Sequence, residues 1–556
     1  MASITQNAPS DSIKAPPMLN NADEPSSNQE LSKKFDPKQR QFILILLSLC
    51  LIALVVSLDI TSVAIALPRI STELQSQENY VWVANCFVFA QTAIQLVCGQ
   101  VCDIFGRRTP MIISVVIFAI GSAVAGAAST TAALIAGRTI QGLGAGGINV
   151  LVELILCDLV PLSERAKYFG IVLSVTAIGT MAGPVIGGVL AEANWRWIFY
   201  LNLPVTGIVL VSVIFFLPLQ HGKNLSWART VRRMDWIGYF LSIGSICAIL
   251  FGLVSGGVVY SWLSWRTIFP IALGLTGWIT FHWYENSKFC KEPSIPPRLF
   301  LNRTAVSGFY MAFISSTLLI WVCYFWPVYF QGLHDASPMK AGIYILPFAV
   351  FLIPVSIVSG IALGKIGAYR PIHFIGFSLS FVGLGLNTLL RQNTTVAAWV
   401  MFQIVDASGR GALFPTILPA ILASLPESDT ATATGMYAFL RSFGFVWGVT
   451  IPSIIFNASF DRYAFQIKDH MVRQNLTGGR AYASVGSYYV KSLPAATKSE
   501  VISTYVEALK IIWIAAIAFS ATGFLFVFVE KEIPLRTELN TEYGLELETK
   551  KSPAGV

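Results

Sequence analysis

Apolar residues gather along this chain into long runs separated by short polar turns. The runs fall near 42–67, 80–101, 110–128, 131–157, 167–191, 197–217, 235–256, 267–284, 304–331, 341–364, 371–390, 395–422, 434–456 and 511–530. Runs of this length match the hydrocarbon thickness of a bilayer, so each is expected to cross it as a helix, giving about fourteen spans. The run at 267–284 is the least pronounced. The expected fold class is therefore an all-α integral membrane protein.

Composition supports a core set by lipid rather than by water. The chain is 54% hydrophobic and 12% charged, with a mean hydropathy of +0.64. Soluble domains carry about twice that share of charge. Residues 1–41 are rich in Ser, Asn, Pro and charge. They lack an apolar signal core and a cleavage site, so they are expected to form a disordered cytoplasmic tail, with the first span as an uncleaved insertion signal. Residues 531–556 read as a second cytoplasmic tail.

Lys and Arg set the orientation. With the N-terminus inside, the short inner loops carry Arg107, Arg108, Arg165, Lys167, Lys223, Arg229, Arg232, Arg233, Lys288, Lys291, Arg298, Arg303, Lys365 and Arg370, against Arg69, Arg196, Arg266, Lys340 and Arg391 outside. Both termini are thus expected inside. The long outer loop, 457–507, is basic, but long loops translocate largely regardless of charge. The net charge of +8 follows from this bias and does not argue for nucleic acid. Outer loops hold the sequons at Asn393, Asn457 and Asn475, candidate glycosylation sites. The eight cysteines lie in spans or inner loops and imply no disulfide framework and no metal site. No G-x-x-x-x-G-K-[ST] loop is present, which leaves a proton gradient as the natural driver and calls for no cofactor.

A charge inside a span costs at least about 2.5–3.5 kcal/mol and normally faces a cavity or a partner. Asp59 lies in the first span, where it could bind and release a proton; alternatively it is a helix-end acid meeting the outer headgroups. Arg138 lies in the fourth span beside Gly142, Gly144 and Gly146. Glu153 lies two turns beyond the glycines and could bind a proton or a cationic substrate. Pairing of Glu153 with Arg138 is less natural, because about four turns separate them. Asp158, Glu164 and Arg165 read as a gate or latch. Gly99, Asp103, Gly106, Arg107 and Arg108 form a tight charged turn suited to a cytoplasmic latch. In the fifth span, Gly179, Gly183, Pro184, Gly187 and Gly188 permit close helix packing and a kink. Asp406 and Arg410, one turn apart, can neutralise each other. Trp82, Phe87, Tyr324, Tyr329 and Phe330, with Trp326 and Tyr344, could line a greasy cavity, although such stripes also face lipid or neighbouring helices.

Several of these segments resemble motifs of the major facilitator superfamily, in the right order from about 40 to 530. The turn Gly99-Gln-Val-Cys-Asp-Ile-Phe-Gly-Arg-Arg108 is similar to the loop between its helices 2 and 3. Leu58-Asp-Ile-Thr-Ser-Val-Ala-Ile-Ala-Leu-Pro68 resembles the first-helix signature of the fourteen-helix drug:proton antiporters. Gly137-Arg-Thr-Ile-Gln-Gly142 resembles the family's arginine motif, which implies that Arg138 pairs with an acid and responds to its protonation. A purely structural arginine bonding backbone carbonyls is the alternative. Gly179 to Gly188 looks like the antiporter motif and favours export. Arg441 matches a recurrent arginine with a structural or gating role.

The resemblance implies two six-helix halves, 42–217 and 304–530, with two helices inserted in the linker 218–303. A repeat is visible: Gln141 to Gly146 can be laid on Asp406 to Gly411, and Gly179 to Gly183 on Gly444 to Gly448. There are departures. Ile104 stands where many relatives carry arginine, and the second-half copy of the latch, Gly364 to Arg370, lacks the acid. The implied function is proton-coupled efflux of bulky hydrophobic compounds such as drugs, toxins or secondary metabolites. The alternative is a proton-coupled importer of the siderophore type. None of the five histidines forms an H-x-x-x-D pattern or a metal cluster, which argues against a membrane enzyme. The partners expected are a small hydrophobic substrate, protons and the bilayer; the protein is read as a monomer of the cell membrane, or alternatively of the vacuolar membrane.

Overall fold

In a computed structural model of the chain, the described residues are 37–74, 80–217, 234–256, 260–288, 290, 293–485 and 487–536. Their regular elements are helices. The long ones are α1 (Pro37–Glu73), α2 (Tyr80–Phe105), α3 (Arg108–Gly126), α4 (Thr131–Leu159), α5 (Leu162–Asn194) and α6, in two pieces (Arg196–Tyr200 and Asn202–Phe216). After these come α7 (Trp236–Ser255), α8 (Trp265–Glu285), α9 (Arg303–Leu333) and α10, in two pieces (Pro338–Tyr344 and Leu346–Ile366). The last four are α11 (Arg370–Asn387), α12 (Val396–Ala423), α13 (Thr430–Tyr463) and α14 (Ala495–Val529).

Local sequence explains many of the boundaries. Thr130 caps α4 by accepting from the Ala133 amide, Asp235 caps α7 through Gly238, and Asn302 caps α9 through Thr304. The α2–α3 turn passes through Gly106 at φ +77°, a backbone that strains any residue with a side chain.

Eleven segments among the described residues are long and apolar enough to cross a membrane. Helices α8, α11 and α12 occupy the other three expected spans. Their polar residues, such as His373 and Asn387 in α11 and Asp406 and Arg410 in α12, lower their apolar content. Two expected boundaries are corrected. The first helix starts at Pro37, so the end of the expected tail 1–41 is helical, while residues 1–36 lie outside the described residues. The expected outer loop 457–507 is largely helix: α13 runs on to Tyr463 and α14 begins at Ala495, with the short helices His470–Leu476, Ala481–Ser484 and Tyr488–Lys491 between them. The inner-loop bases Lys223, Arg229, Arg232, Arg233 and Lys291 lie outside the described residues.

Close glycine contacts recur in the two parts of the chain. Gly179 and Gly183 of α5 press on the backbone of Leu54 and Leu58 in α1, and Gly444 and Gly448 of α13 press on Phe313 and Thr317 in α9. Likewise Gly142 and Gly144 fit α4 between α2 and α3, as Gly411 and Gly409 fit α12 between α10 and α11. Between the two parts, α2 meets α13 and α5 meets α10. Gly99 lies against Ala431, Gly435 against Gln95, Gly170 against Ser356, and Gly360 against Ala166.

Helices α7 and α8 pack on each other and against the α2–α13 seam. Tyr239 donates to Gln100 Oε1 at 2.5 Å, Trp82 stacks on Phe251, and Trp278 stacks on Phe439. Beyond α14, residues Glu530–Arg536 run across the end of the bundle where α5 begins and α12 ends. Glu530 pairs with buried His373 at 2.9 Å, and the Lys531 carbonyl accepts from Tyr369. Arg536 donates to the carbonyls of Leu422 and Leu425 at the end of α12. The Arg536 carbonyl accepts from the Ser163 amide of α5 at 3.2 Å.

Candidate functional site

Asp59 is fully buried, and its carboxylate faces helices rather than the outer headgroups. It lies about four turns before the end of α1 at Glu73. Arg138 of α4 pairs with its Oδ2. Oδ1 accepts from Gln141 Nε2 at 2.9 Å and from Asn202 Nδ2 at 2.8 Å. Gln141 Nε2 also donates to Ser122 Oγ at 2.9 Å, and its Oε1 accepts from Arg138 at 2.7 Å. The guanidinium carbon of Arg138 lies 4.4 Å from the centre of the Phe87 ring and 5.8 Å from that of Phe199. Aromatic faces attract a cation and keep water away from it. The result is a dry carboxylate–guanidinium pair with every described contact made by side chains of α1, α2, α3, α4 and α6. Removing one member of such a buried pair strands the other, at a cost of about 3–5 kcal/mol.

Glu153 does not pair with Arg138. Its partner is Arg441 of α13, across the seam between the two parts of the chain. Glu153 Oε2 and Arg441 Nε have no hydrogen-bond partner among the described residues, nor do Gln91 Oε1, Gln95 Oε1 and Trp447 Nε1. Beside them, Phe439, Phe443 and Trp447 follow one another at four-residue spacing on α13. Phe439 and Phe443 stack at 5.5 Å, and Phe443 meets Trp447 edge-on. These aromatics were not expected from the sequence, because an apolar run shows no sign of which of its rings face a seam.

The charged turn is tied by hydrogen bonds and ion pairs. Arg107 is 3% exposed; its Nε donates to Asp158 at 2.7 Å, and its NH1 donates to the Cys102 carbonyl at 2.8 Å and lies 3.4 Å from Asp103. The other Asp103 oxygen accepts from Thr432 of α13 at 3.2 Å. Gly99 and Gly106 supply the close approach and the turn, as the spacing suggests. Arg108 points the other way, to the Ile214 carbonyl at 2.6 Å. Arg165 lies 3.7 Å from Glu427, which Arg536 approaches at the same distance. Arg298 forks onto Asp429 with three short hydrogen bonds, which raise its pKa further.

Gly183 and Gly187 are buried against Thr61 and Ser62 of α1, while Gly188 is half-buried. Pro184 lies in α5, and its side chain is outside the described residues. Asp406 and Arg410 pair with each other at 2.9 Å within α12.

The five aromatics expected to line one cavity are not brought together. Phe87 is fully buried under Arg138, and Tyr329 and Phe330 are packed among Trp326, Tyr344 and Trp399. Tyr324 is 45% exposed, and Trp82 packs on Phe89 and Phe251. Packing density consumed these rings, as it does in most protein interiors. Of the sequons, Asn393 and Asn475 are exposed, but Asn457 is inside α13 and its Oδ1 accepts from the Tyr482 amide at 3.0 Å. That engagement is a correction to its expected accessibility.

The chain is 45% identical over 529 residues to "MFS efflux transporter aclA" of Aspergillus oryzae, covering 94% of this chain and 96% of that protein. It is 40% identical over 542 residues to "Efflux pump FUS6" of Gibberella moniliformis, covering 96% of each. It is 43% identical to the "Acurin A biosynthesis cluster MFS-type transporter" of Aspergillus aculeatus, over 92% of this chain and 93% of that one. Among solved structures, the human organic anion transporter MFSD10 (TETRAN) matches 88% of this chain and all of its own, with a TM-score of 0.56 at 12% identity, a likeness of fold alone. The family model described as Major Facilitator Superfamily matches residues 49–449. With its helical bundle, its membrane-length apolar helices and these relatives, the chain belongs to the major facilitator superfamily of multi-pass membrane transporters.

Proposed function

We propose that the protein exports small, bulky hydrophobic compounds of the secondary-metabolite type in exchange for protons. In this reading all fourteen long helices cross the membrane, as two six-helix halves (42–217 and 304–530) around an inserted pair, with both termini inside. It works as a monomer in the cell membrane. Asp59 is the proton site and Arg138 its charge partner. Glu153 and Arg441 join the halves at mid-depth, and Asp103, Arg107 and Asp158 hold the inner latch. The observation that carries the proposal is a buried intramembrane carboxylate held by an arginine, the arrangement expected of a proton relay. The named efflux transporters at 40–45% identity favour the outward direction.

Phe439, Phe443 and Trp447, with the unpartnered polar atoms of Gln91, Gln95, Glu153 and Arg441, form the surface for substrate. Such a face suits a compound that is mostly apolar with a few polar groups. Glycans are carried at Asn393 and Asn475.

The test is accumulation of a panel of fluorescent hydrophobic compounds in a host lacking its own pumps, for wild type and Asp59→Asn, with and without an uncoupler. Lower accumulation in wild type, abolished by either treatment, is expected. Higher accumulation with wild type would assign an importer. Export that survives both treatments would remove Asp59 and the proton gradient from the mechanism.

A further inference from the structure

Asn202 opens the second piece of α6, after the break at Leu201, and its side chain is 1% exposed. Its Nδ2 donates to Asp59 Oδ1 at 2.8 Å and lies 3.4 Å from Ser122 Oγ. Its Oδ1 has no hydrogen-bond partner among the described residues. A buried amide oxygen left without a donor costs about 1–3 kcal/mol, so it calls for an explanation.

The neighbours of Asp59 are otherwise committed. Gln141 uses its oxygen on Arg138 and its nitrogen on Asp59 and Ser122. Ser122 donates to the Phe118 carbonyl at 2.8 Å while accepting from Gln141. Arg138 is the one charged group described against Asp59. Around the pair, α2 brings Phe87 and the Cys86 thiol, which lies within the field of Arg138; α3 brings Ser122; and α5 brings the backbone of Gly183 beside Leu58 and Thr61.

A carboxylate only accepts hydrogen bonds, whereas a carboxylic acid must also donate one. When Asp59 takes a proton, its new O–H needs an acceptor; the other side-chain acceptors described around it, Gln141 Oε1 and Ser122 Oγ, already hold a hydrogen bond, and Asn202 Oδ1 holds none. A half-turn of the Asn202 carboxamide exchanges its nitrogen for the idle oxygen. We propose that Asn202 is a positioning residue that holds Asp59 in both protonation states, its Nδ2 serving the carboxylate and its Oδ1 the acid. This rests on Asp59 being the proton site.

The test uses the full chain in lipid nanodiscs and vesicles, comparing wild type, Asp59→Asn, Asn202→Leu and Asn202→Ser. Infrared difference spectra across a pH titration read the acid C=O stretch directly. The expected result is one band, lost in Asp59→Asn and moved to the position of an acid without a hydrogen-bond acceptor in Asn202→Leu. The Ser hydroxyl, donor and acceptor at once, is expected to restore most of the band position. In vesicles, Asn202→Leu is expected to lose about tenfold in proton-driven transport, with substrate exchange at equal pH within about twofold of wild type. If Asp59→Asn leaves the band in place, the proton-site reading itself fails. If that band is lost but Asn202→Leu keeps the wild-type band position, only the role of Asn202 is overturned. Should Asn202→Leu not fold, a wild-type spectrum without a hydrogen-bonded acid band would overturn it equally.

Discussion

Glu153 of α4 and Arg441 of α13 form an ion pair between residues 288 positions apart in the chain. Both side chains are mostly buried, at 13% and 19% exposure. A rocking motion of one half against the other has to separate them. In a double-mutant cycle with Glu153→Gln and Arg441→Gln, thermal unfolding in detergent is expected to give a coupling of about 0.5–3 kcal/mol. Additive effects would mean that the pair does not hold the seam.

Arg107 makes three different contacts with one planar head, to Asp158, to Asp103 and to the Cys102 carbonyl. A lysine ammonium cannot reproduce that fork. Arg107→Lys is therefore expected to loosen the α2–α13 contact and to lower transport by about tenfold, the equivalent of one strong hydrogen bond. Labelling of a cysteine placed at Ala431, which is buried beside Gly99 and leaves the Thr432 hydrogen bond to Asp103 in place, is the readout, and it should quicken in the variant. Unchanged labelling would place the latch elsewhere.

The contact of α5 with α1 leaves no room for a methyl group at Gly187, where a Cβ would come within 2.6 Å of the Ser62 Cα. Gly187→Ala is expected to cost about 1–3 kcal/mol of stability, as overpacking does. Gly207 in α6 has open space where its Cβ would be, and Gly207→Ala should be neutral or slightly stabilising. The two melting temperatures, measured side by side, check the packing.

His373 and Glu530 are both fully buried. His373→Ala leaves the buried Glu530 side chain without its hydrogen-bond partner and is expected to destabilise the C-terminal end of α14 by about 1–3 kcal/mol. Glu530→Gln, whose amide can still bond the imidazole, should cost clearly less. Equal losses would show that a neutral hydrogen bond does not replace the carboxylate at this contact.

Much of the architecture is legible in the residue pattern because lipid imposes it. A span needs an apolar run, and the turn at Gly106 needs a residue tolerant of positive φ. Asp59 and Arg138 stand out for the same reason, since charge is rare in a membrane helix. Asn202 does not stand out: a neutral amide in an aromatic stretch carries no such signal, and only the fold of α6 onto α1 and α3 gives it meaning. Likewise, four-residue spacing hides which rings pack and which face the seam, so Phe87 and Phe330 looked like lining while Phe443 and Trp447 did not. The partner of Glu153 was out of reach because helix-local distance argues only about Arg138.

The segment Glu530–Arg536 also bears on the order in which the molecule comes to be. It lies after every membrane helix in the chain, so it is made after them, and N-terminal parts of a protein fold first during synthesis. Yet its last carbonyl ties to Ser163, near the start of α5, and its guanidinium bonds the carbonyls of Leu422 and Leu425 at the end of α12. Tying this end of the bundle is therefore a late step of assembly: a chain whose long helices have all been made still lacks these contacts until these seven residues have followed.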